Sequence, residues 1–275
     1  MKNIFFLLIT FHLIILSFSK CKKGEEIIEI SYENGSGLTD INGNYYPSII
    51  LGNGQEWTTT NLRTNTYSNG SNISNTISDA SWSNNTDGAW CYYDNDPLND
   101  DVYGKLYNWH AIVGDTIVIE KYKVESSNGD ISYIYANNYT SMLGTIEDTI
   151  YIDSFECKIC PDGWKIPYEN DWINLINYLG YANVAGGKMK SEGFDHWLDP
   201  NLGATNESGF NGLPGGVRNK NGSFEYLGEI GRWWSFEHVY DDYAHSRPLF
   251  YDQETTLNHY VFPKEGGLSI RLIKN

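Results

Sequence analysis

The chain has 275 residues, 40% hydrophobic and 20% charged, with 21 Tyr, 9 Trp and 27 Gly against 3 Met and 8 Pro. Its formal charge is −16; residues 1–20 hold two lysines and no acid, so without them 17 basic residues face 35 acidic ones and the balance falls to −18. A field of that sign repels phosphate backbones and anionic lipid surfaces, which excludes nucleic acid as a partner and leaves membrane attachment to an anchor.

At the N-terminus, Lys2 precedes an apolar run from Ile4 to Phe18, interrupted by Thr10, His12 and Ser17. About 15 residues falls short of a bilayer core of roughly 30 Å but suits a secretory signal, giving a signal peptide over 1–20. Two endings stay open. In one, Cys21 becomes a lipidated N-terminus: Cys21-Lys-Lys-Gly-Glu-Glu26 resembles the start of envelope lipoproteins of the Bacteroidetes type, although Lys20 stands where a small residue is usual. In the other, Ser17-Phe-Ser19 is a small-x-small site cut after Ser19. The first puts the protein at the outer membrane or cell surface, the second in the periplasm or medium; disulfides persist in all of these.

Three further cysteines remain: Cys91, Cys157 and Cys160. Cys157-Lys-Ile-Cys160 has redox-motif spacing, but no βαβ pattern surrounds it and Pro161 follows at once. A zinc ribbon needs a second pair. The expectation is one structural disulfide joining Cys91 to one of the pair.

Residues 21–39 read as a tether. Asp40-Ile-Asn-Gly-Asn44 is a turn signal before a β-prone run from Tyr45 to Leu51, and Gly52-Asn-Gly54 turns it back into Gln55-Glu-Trp57, a hairpin. The Asn-rich stretches 67–75 and 84–87 read as ordered loops, Ala89 to Tyr93 as a strand, and Tyr103 to Trp109 as an irregular buried segment. Ile112 to Glu156 reads as a β-rich insertion too poor in apolar residues for its own core. Its β-prone runs are Thr116–Val124, Ile131–Tyr135 and Thr149–Phe155, with a hairpin turn at Ser126-Ser-Asn-Gly-Asp130. Trp172, Leu175, Ile176 and Leu179 fall at i, i+3, i+4 and i+7, predicting a helix from about Glu169 to Leu179 stopped by Gly180. A short helical turn follows at Ala185–Lys190, and the pattern then returns to β, so the class is α+β in one domain over 40–273.

Turn and aromatic motifs in order carry a resemblance. They are Asp40-Ile-Asn-Gly-Asn-Tyr45 with Trp57 and Asn61-Leu62, Tyr103-Gly104-Lys-Leu-Tyr-Asn-Trp109, and Cys160-Pro-Asp-Gly163-Trp164-Lys-Ile-Pro167 with Asp171-Trp172. Ala185-Gly-Gly-Lys188, Gly209-Phe210, Leu213-Pro214-Gly215-Gly216, Trp233-Trp234-Ser235 and Ser269-Ile-Arg271 complete the set. Together they resemble the Fibrobacter succinogenes major paralogous domain family, from Asp40 to Arg271 with the insertion between. The resemblance implies a compact fold related to C-type lectins and formylglycine-generating sulfatase modifiers, and an exported, often lipid-anchored protein. Members often end in Arg-Cys where this chain has Arg271-Leu272, so the partner the resemblance implies for Cys160 is missing. The sulfatase modifiers hold copper on a C-terminal pair of cysteines; no cysteine follows Cys160 here, which leaves no route to that chemistry.

Candidate sites are few. Asp94, Asp96, Asp100 and Asp101 crowd one stretch and could hold Ca²⁺, but Leu98 and Asn99 break the EF-hand spacing, and a solvated acidic loop is the plainer reading. Histidines 110, 196, 238, 245 and 259 lack metal spacing and read as structural or surface groups. Glu207 with Ser208, or Glu237 with Asp241 and Asp242, are conceivable acid–base pairs that spacing alone does not support. Trp233 and Trp234 read as core rather than as sugar platforms. The expectation is a non-enzymatic, cofactor-free binding module for a glycan or an envelope protein, or an envelope assembly factor working through residues 112–156.

Overall fold

The computed structural model describes residues 30–113, 121–125, 131–135, 157–240, 242–256 and 260–275, with backbone alone at 121–125, 131–135 and 238–240. The expected signal segment, Cys21, the expected turn Ser126–Asp130, the expected run Thr149–Phe155, Asp241 and His259 lie outside the described residues.

Asp40 shows how the turn signals act. Its carboxylate accepts the backbone N–H groups of Asn42 and Asn44, each at 2.9 Å, and the Tyr46 hydroxyl at 2.6 Å. An Asp bonded to the backbone ahead of it fixes a turn. Here the turn delivers the strand Tyr45–Tyr46, which pairs with Leu38–Thr39.

The expected hairpin forms from Ser48–Leu51 and Glu56–Thr58, with Ile49 opposite Trp57. Tyr32–Asn34 pairs along one side of it, and Ile273–Lys274 along the other, which in turn carries Trp164–Lys165. Both ends of the domain thus meet in one five-stranded antiparallel sheet. The folded body therefore starts before the boundary expected at Asp40, and the tether loses residues 32–39. Tyr32–Asn34 is exposed at all three positions, so no apolar pattern announces it; backbone pairing holds it. Glu56 fastens both ends, accepting from the Ser36 amide at 3.1 Å, the Ser48 hydroxyl at 2.6 Å and Lys274 Nζ at 2.7 Å. Burial pushes its pKa up, but the Lys274 and Ser48 bonds outweigh that and hold the carboxyl below its usual range.

The helix Glu169–Tyr178 follows its apolar stripe. Asp171 reaches back to the Tyr168 N–H at 2.9 Å, satisfying a donor that the first turn leaves open, and Gly180 closes the helix at φ +97°. Trp172, Leu175, Ile176 and Leu179 pack with Ile49, Leu51 and Trp57 of the sheet and with Trp233 and Leu249. A second helix, Ala182–Met189, starts three residues before the expected turn. Its Gly187 lies so close to Gly203 that a Cβ would sit 2.2 Å from the Gly203 carbonyl oxygen, which explains the Gly-Gly pair. Trp57, Trp82, Trp109, Trp172, Trp197, Trp233 and Trp234 are each under 2% exposed. Each such ring removes roughly 150–250 Å² from water, on the order of 4–6 kcal/mol before entropy is counted.

A three-stranded sheet of Ile230–Tyr240, Tyr243–Phe250 and Tyr260–Pro263 serves two core clusters, giving Trp233 and Leu249 to the one under the helix and Trp234, Phe236, Ala244 and Phe262 to the other. Tyr103–Trp109 is largely buried as expected but more regular, with a strand at Leu106–Tyr107 between short helices Asp100–Tyr103 and Trp109–Val113. Within the insertion, Lys121–Glu125 and Ile131–Tyr135 pair antiparallel as a two-stranded sheet of their own. The insertion leaves after Trp109–Val113 and returns at Cys157, where the Lys158 N–H donates to the Ile112 carbonyl at 3.1 Å. The class is α+β with strands predominating. Among the described residues, no helix is long and apolar enough to cross a membrane.

The cysteine pairing differs from expectation. Cys157 bonds to Cys160, clipping the insertion's return, and Cys91 keeps a free thiol. Cys91 packs with Trp82, Ala89, Tyr93 and Leu106 in a cluster separate from the one holding Cys160, which puts the two out of reach. Burial pushes the Cys91 thiol up to about 12 against the opposing charge of Arg218, so it is inert.

Candidate functional site

Several signature residues converge on one buried polar node rather than on a surface. Asn61 Oδ1 accepts from Trp233 Nε1 at 2.8 Å and Arg271 Nε at 2.7 Å, and its amide donates to the Tyr103 carbonyl at 2.8 Å. Arg271 also donates to the carbonyls of Thr58, Phe210 and Asn211 while lying over the Phe210 ring. Burial pushes this guanidinium down, to about 9. Trp234 Nε1 meets the Tyr107 carbonyl at 2.8 Å, and Pro167 accepts the Phe236 amide. Gly216 is held at φ +66°, where a Cβ would press on the Tyr93 ring and the Glu225 carbonyl. The signature specifies a scaffold, and its tryptophans are sealed away from any ligand.

The acidic stretch does not gather as a Ca²⁺ cage. Asp94 sits in a short 3₁₀ turn at φ 53°, and Asp96 caps the next, accepting from the Leu98 amide at 3.0 Å. Both Asp100 oxygens hold Lys105 Nζ at 2.9 Å, and Asp101 pairs with Arg63 at 2.6 Å. The carboxylates of Asp96, Asp100 and Asp101 are each drawn to a different neighbour. Glu207 and Ser208 also part company: Glu207 faces Lys188 at 3.4 Å, and the Ser208 hydroxyl donates to the Lys188 carbonyl at 2.8 Å.

Two other places emerge. The first is the loop 191–212, whose shape is set from beneath. Buried Lys190 donates to the carbonyls of Leu202, Phe250 and Gln253 at 2.8–2.9 Å. Burial pushes its ammonium down to about 8, against the pull of Asp252 and Glu254. Buried Asn201 donates to the carbonyls of Ser191 and Gly193. Over this brace the loop exposes Phe194 at 63%, Leu198 at 50% and Leu202 at 47%. The turn after the strand Phe224–Leu227 leans on the loop, with the Leu198 amide donating to the Gly228 carbonyl at 2.8 Å. Exposed Tyr226 stands there at φ +67°, a conformation bulky residues rarely adopt.

The second place is a polar cluster that the sequence did not announce. Glu237 does not pair with Asp242; it converges with Glu169 and His245. His245 Nδ1 lies 3.8 Å from Glu169 Oε2 and 3.8 Å from Glu237 Oε2, and the three ligand atoms all lie within 4.8 Å of one another. Fully buried Arg247 binds the other Glu169 oxygen. Glu169 begins the main helix, Glu237 sits on the strand Ile230–Tyr240, and His245 and Arg247 lie on the partner strand. The strand register shifts between Trp234 and His238, so a bulge carries Glu237. Tyr168 lies beside it, its hydroxyl raised first by burial and then by the Glu237 charge. Of the remaining histidines, His196 meets the Tyr103 hydroxyl at 3.4 Å and His110 stands on the helix Trp109–Val113.

Compared with known proteins, the chain matches the model of the Fibrobacter succinogenes major domain over residues 51–274, and it belongs to that family. No curated protein and no solved structure matches it.

Proposed function

We propose that this member of the family is an exported, lipid-anchored cell-envelope protein acting as a non-enzymatic binding module, with the loop 191–212 and the turn 226–229 as its binding face. The observation that carries this reading is the braced loop exposing Phe194, Leu198 and Leu202, with Leu198 against Gly228 in the turn that follows exposed Tyr226. Large apolar side chains held outward on a rigid frame favour association, because contact removes them from water and the loop loses little further freedom. Phe194 and Tyr226 offer rings on which a sugar can stack, but the two exposed leucines add apolar area that a polar glycan does not cover, so an envelope or surface protein fits this face better. Kinship with C-type lectins and sulfatase modifiers belongs to the same proposal; the meeting of both chain ends in one sheet supports it. The lipid anchor rests on Cys21 and its flanking sequence, and a diacylglycerol adduct on Cys21 in mass spectra of the mature protein is the expected finding, against an unmodified Lys20 terminus.

A second reading has its own support. The insertion strands Lys121–Glu125 and Ile131–Tyr135 form a separate two-stranded sheet, and a strand edge can recruit a partner strand. That would make the protein an envelope assembly factor. Quantitative cross-linking in envelope fractions separates the readings, using wild type, the double variant F194S/L198S and a deletion of 114–156. Partner loss in the double variant supports the loop face; loss only in the deletion supports assembly. A glycan array on the same proteins reports a sugar ligand if binding depends on Phe194. Cross-links and sugar binding unchanged by either alteration overturn both readings.

A further inference from the structure

We propose that Glu169, Glu237 and His245 form a binding site for one divalent transition-metal ion of the Zn²⁺ class, independent of the loop face. Three donors from three packed elements converge here: a carboxylate at the start of the main helix, one from a bulged strand and an imidazole from its neighbour. Of the described residues, this is the group of three His, Cys, Asp or Glu side chains close enough to share an ion. An ion roughly 2.0–2.2 Å from each ligand holds its donors about 3–3.5 Å apart. The 3.8 Å distances from His245 Nδ1 to the two glutamates therefore need to close by under about 1 Å, within reach of small side-chain rotations.

Electrostatics favours the ion. Two carboxylates converge on one imidazole and Arg247 offsets one of them, so the negative charge that remains still attracts a cation. Arg247 binds Glu169 through Oε1, which leaves Oε2 turned toward His245. An outer group that grips one oxygen of a ligating carboxylate fixes the direction of the other, so Arg247 acts as a positioning residue. Glu237 lies in the stretch where the strand register slips, between Trp234 and His238.

Ligand chemistry selects the ion. Imidazole nitrogen with two carboxylates suits Zn²⁺ and its neighbours, whereas Ca²⁺ takes oxygen ligands in larger number. Glu237 and His245 remain half-buried, so solvent or a further ligand can complete the coordination.

The test is titration of the purified full chain with ZnSO₄, followed by calorimetry and by metal analysis after dialysis. One equivalent per chain is expected. Glu237→Gln and His245→Ala should each weaken binding at least about 10-fold, while Asp101→Asn, in the acidic stretch and paired with Arg63, should leave it unchanged. CaCl₂ should produce no saturable heat lost in His245→Ala. No Zn²⁺ binding by wild type, or binding that survives both cluster variants, overturns the proposal. If the variants fail to fold, nitrogen NMR of the wild-type histidines decides: a Zn²⁺-dependent coordination shift at His245 Nδ1 supports the site, and an unchanged His245 resonance refutes it.

Discussion

Replacing Asn61 by Ala tests whether the signature motifs act through one buried node. The substitution removes three hydrogen bonds of 2.7–2.8 Å and leaves Trp233 Nε1, Arg271 Nε and the Tyr103 carbonyl short of a partner. Asn61, Trp233 and Arg271 are all under 5% exposed, so bulk water does not replace the lost partner. Each buried polar group left open costs about 1–3 kcal/mol, the charged one at the upper end. Partial relaxation, or a water entering the vacated space, returns some of this. The expected loss is about 3–5 kcal/mol, a large share of the ~5–15 kcal/mol that holds a typical domain together. Asn61→Asp is the informative contrast. It keeps the acceptor for Trp233 and gives Arg271 a carboxylate, but it sets two acceptors against each other at the Tyr103 carbonyl, so the loss should shrink to about 1–2 kcal/mol. Urea unfolding followed by tryptophan fluorescence measures both. An Asn61→Ala protein within about 1 kcal/mol of wild type, or Asn61→Asp as damaging as Asn61→Ala, refutes the reasoning.

Other outcomes follow from the same structure. Gly187→Ala drives a methyl group against the Gly203 carbonyl, where the obstacle is backbone and must move; a loss of about 1–3 kcal/mol is expected, read as a lowered Tm. Lys190 has its folded pKa lowered to about 8 from 10.5. Between those values the unfolded chain keeps the proton that the folded chain releases, so its stability contribution rises with pH across that window, by on the order of 3 kcal/mol. Stability of wild type minus that of Lys190→Met, measured from pH 7.5 to 10.5, should increase, and a flat or falling difference contradicts the assignment. Cys91 should resist iodoacetamide in the native protein and alkylate fully in 6 M guanidinium by mass spectrometry, because its thiol is buried and its pKa stands near 12.

How far the sequence could be read depended on how local the cause was. The helix Glu169–Tyr178 was legible because four apolar residues at helical spacing must share a face, and the hairpin Ser48–Thr58 because glycines mark its turn. Trp233 and Trp234 were rightly placed in the core, where both are fully buried. The strand Tyr32–Asn34 was hidden because an exposed edge strand has no pattern of its own. Cys91 looked like a disulfide partner because counting cysteines says nothing about which cluster each one enters. The aspartates at 94–101 looked like a cation site because density along the chain resembles density in space; in the fold Asp100 pairs with Lys105, Asp101 with Arg63, and Asp96 caps a turn. Glu169 was overlooked as a partner of His245 for the opposite reason, since a helix start and a strand distant in sequence meet only after folding.

By itself the sequence determined the family, the turn positions, the burial of Trp109, Trp172, Trp233 and Trp234, and the α+β class. These follow from short-range causes: the φ values open to glycine, the bond an Asp side chain makes to the backbone just ahead, and the apolar period of a helix. The tertiary structure alone decided which cysteine pairs, where the domain begins and which carboxylates face an imidazole. Those outcomes are set by packing between elements far apart in the chain: Glu169 on the main helix and Glu237 and His245 on paired strands meet only once those elements have docked.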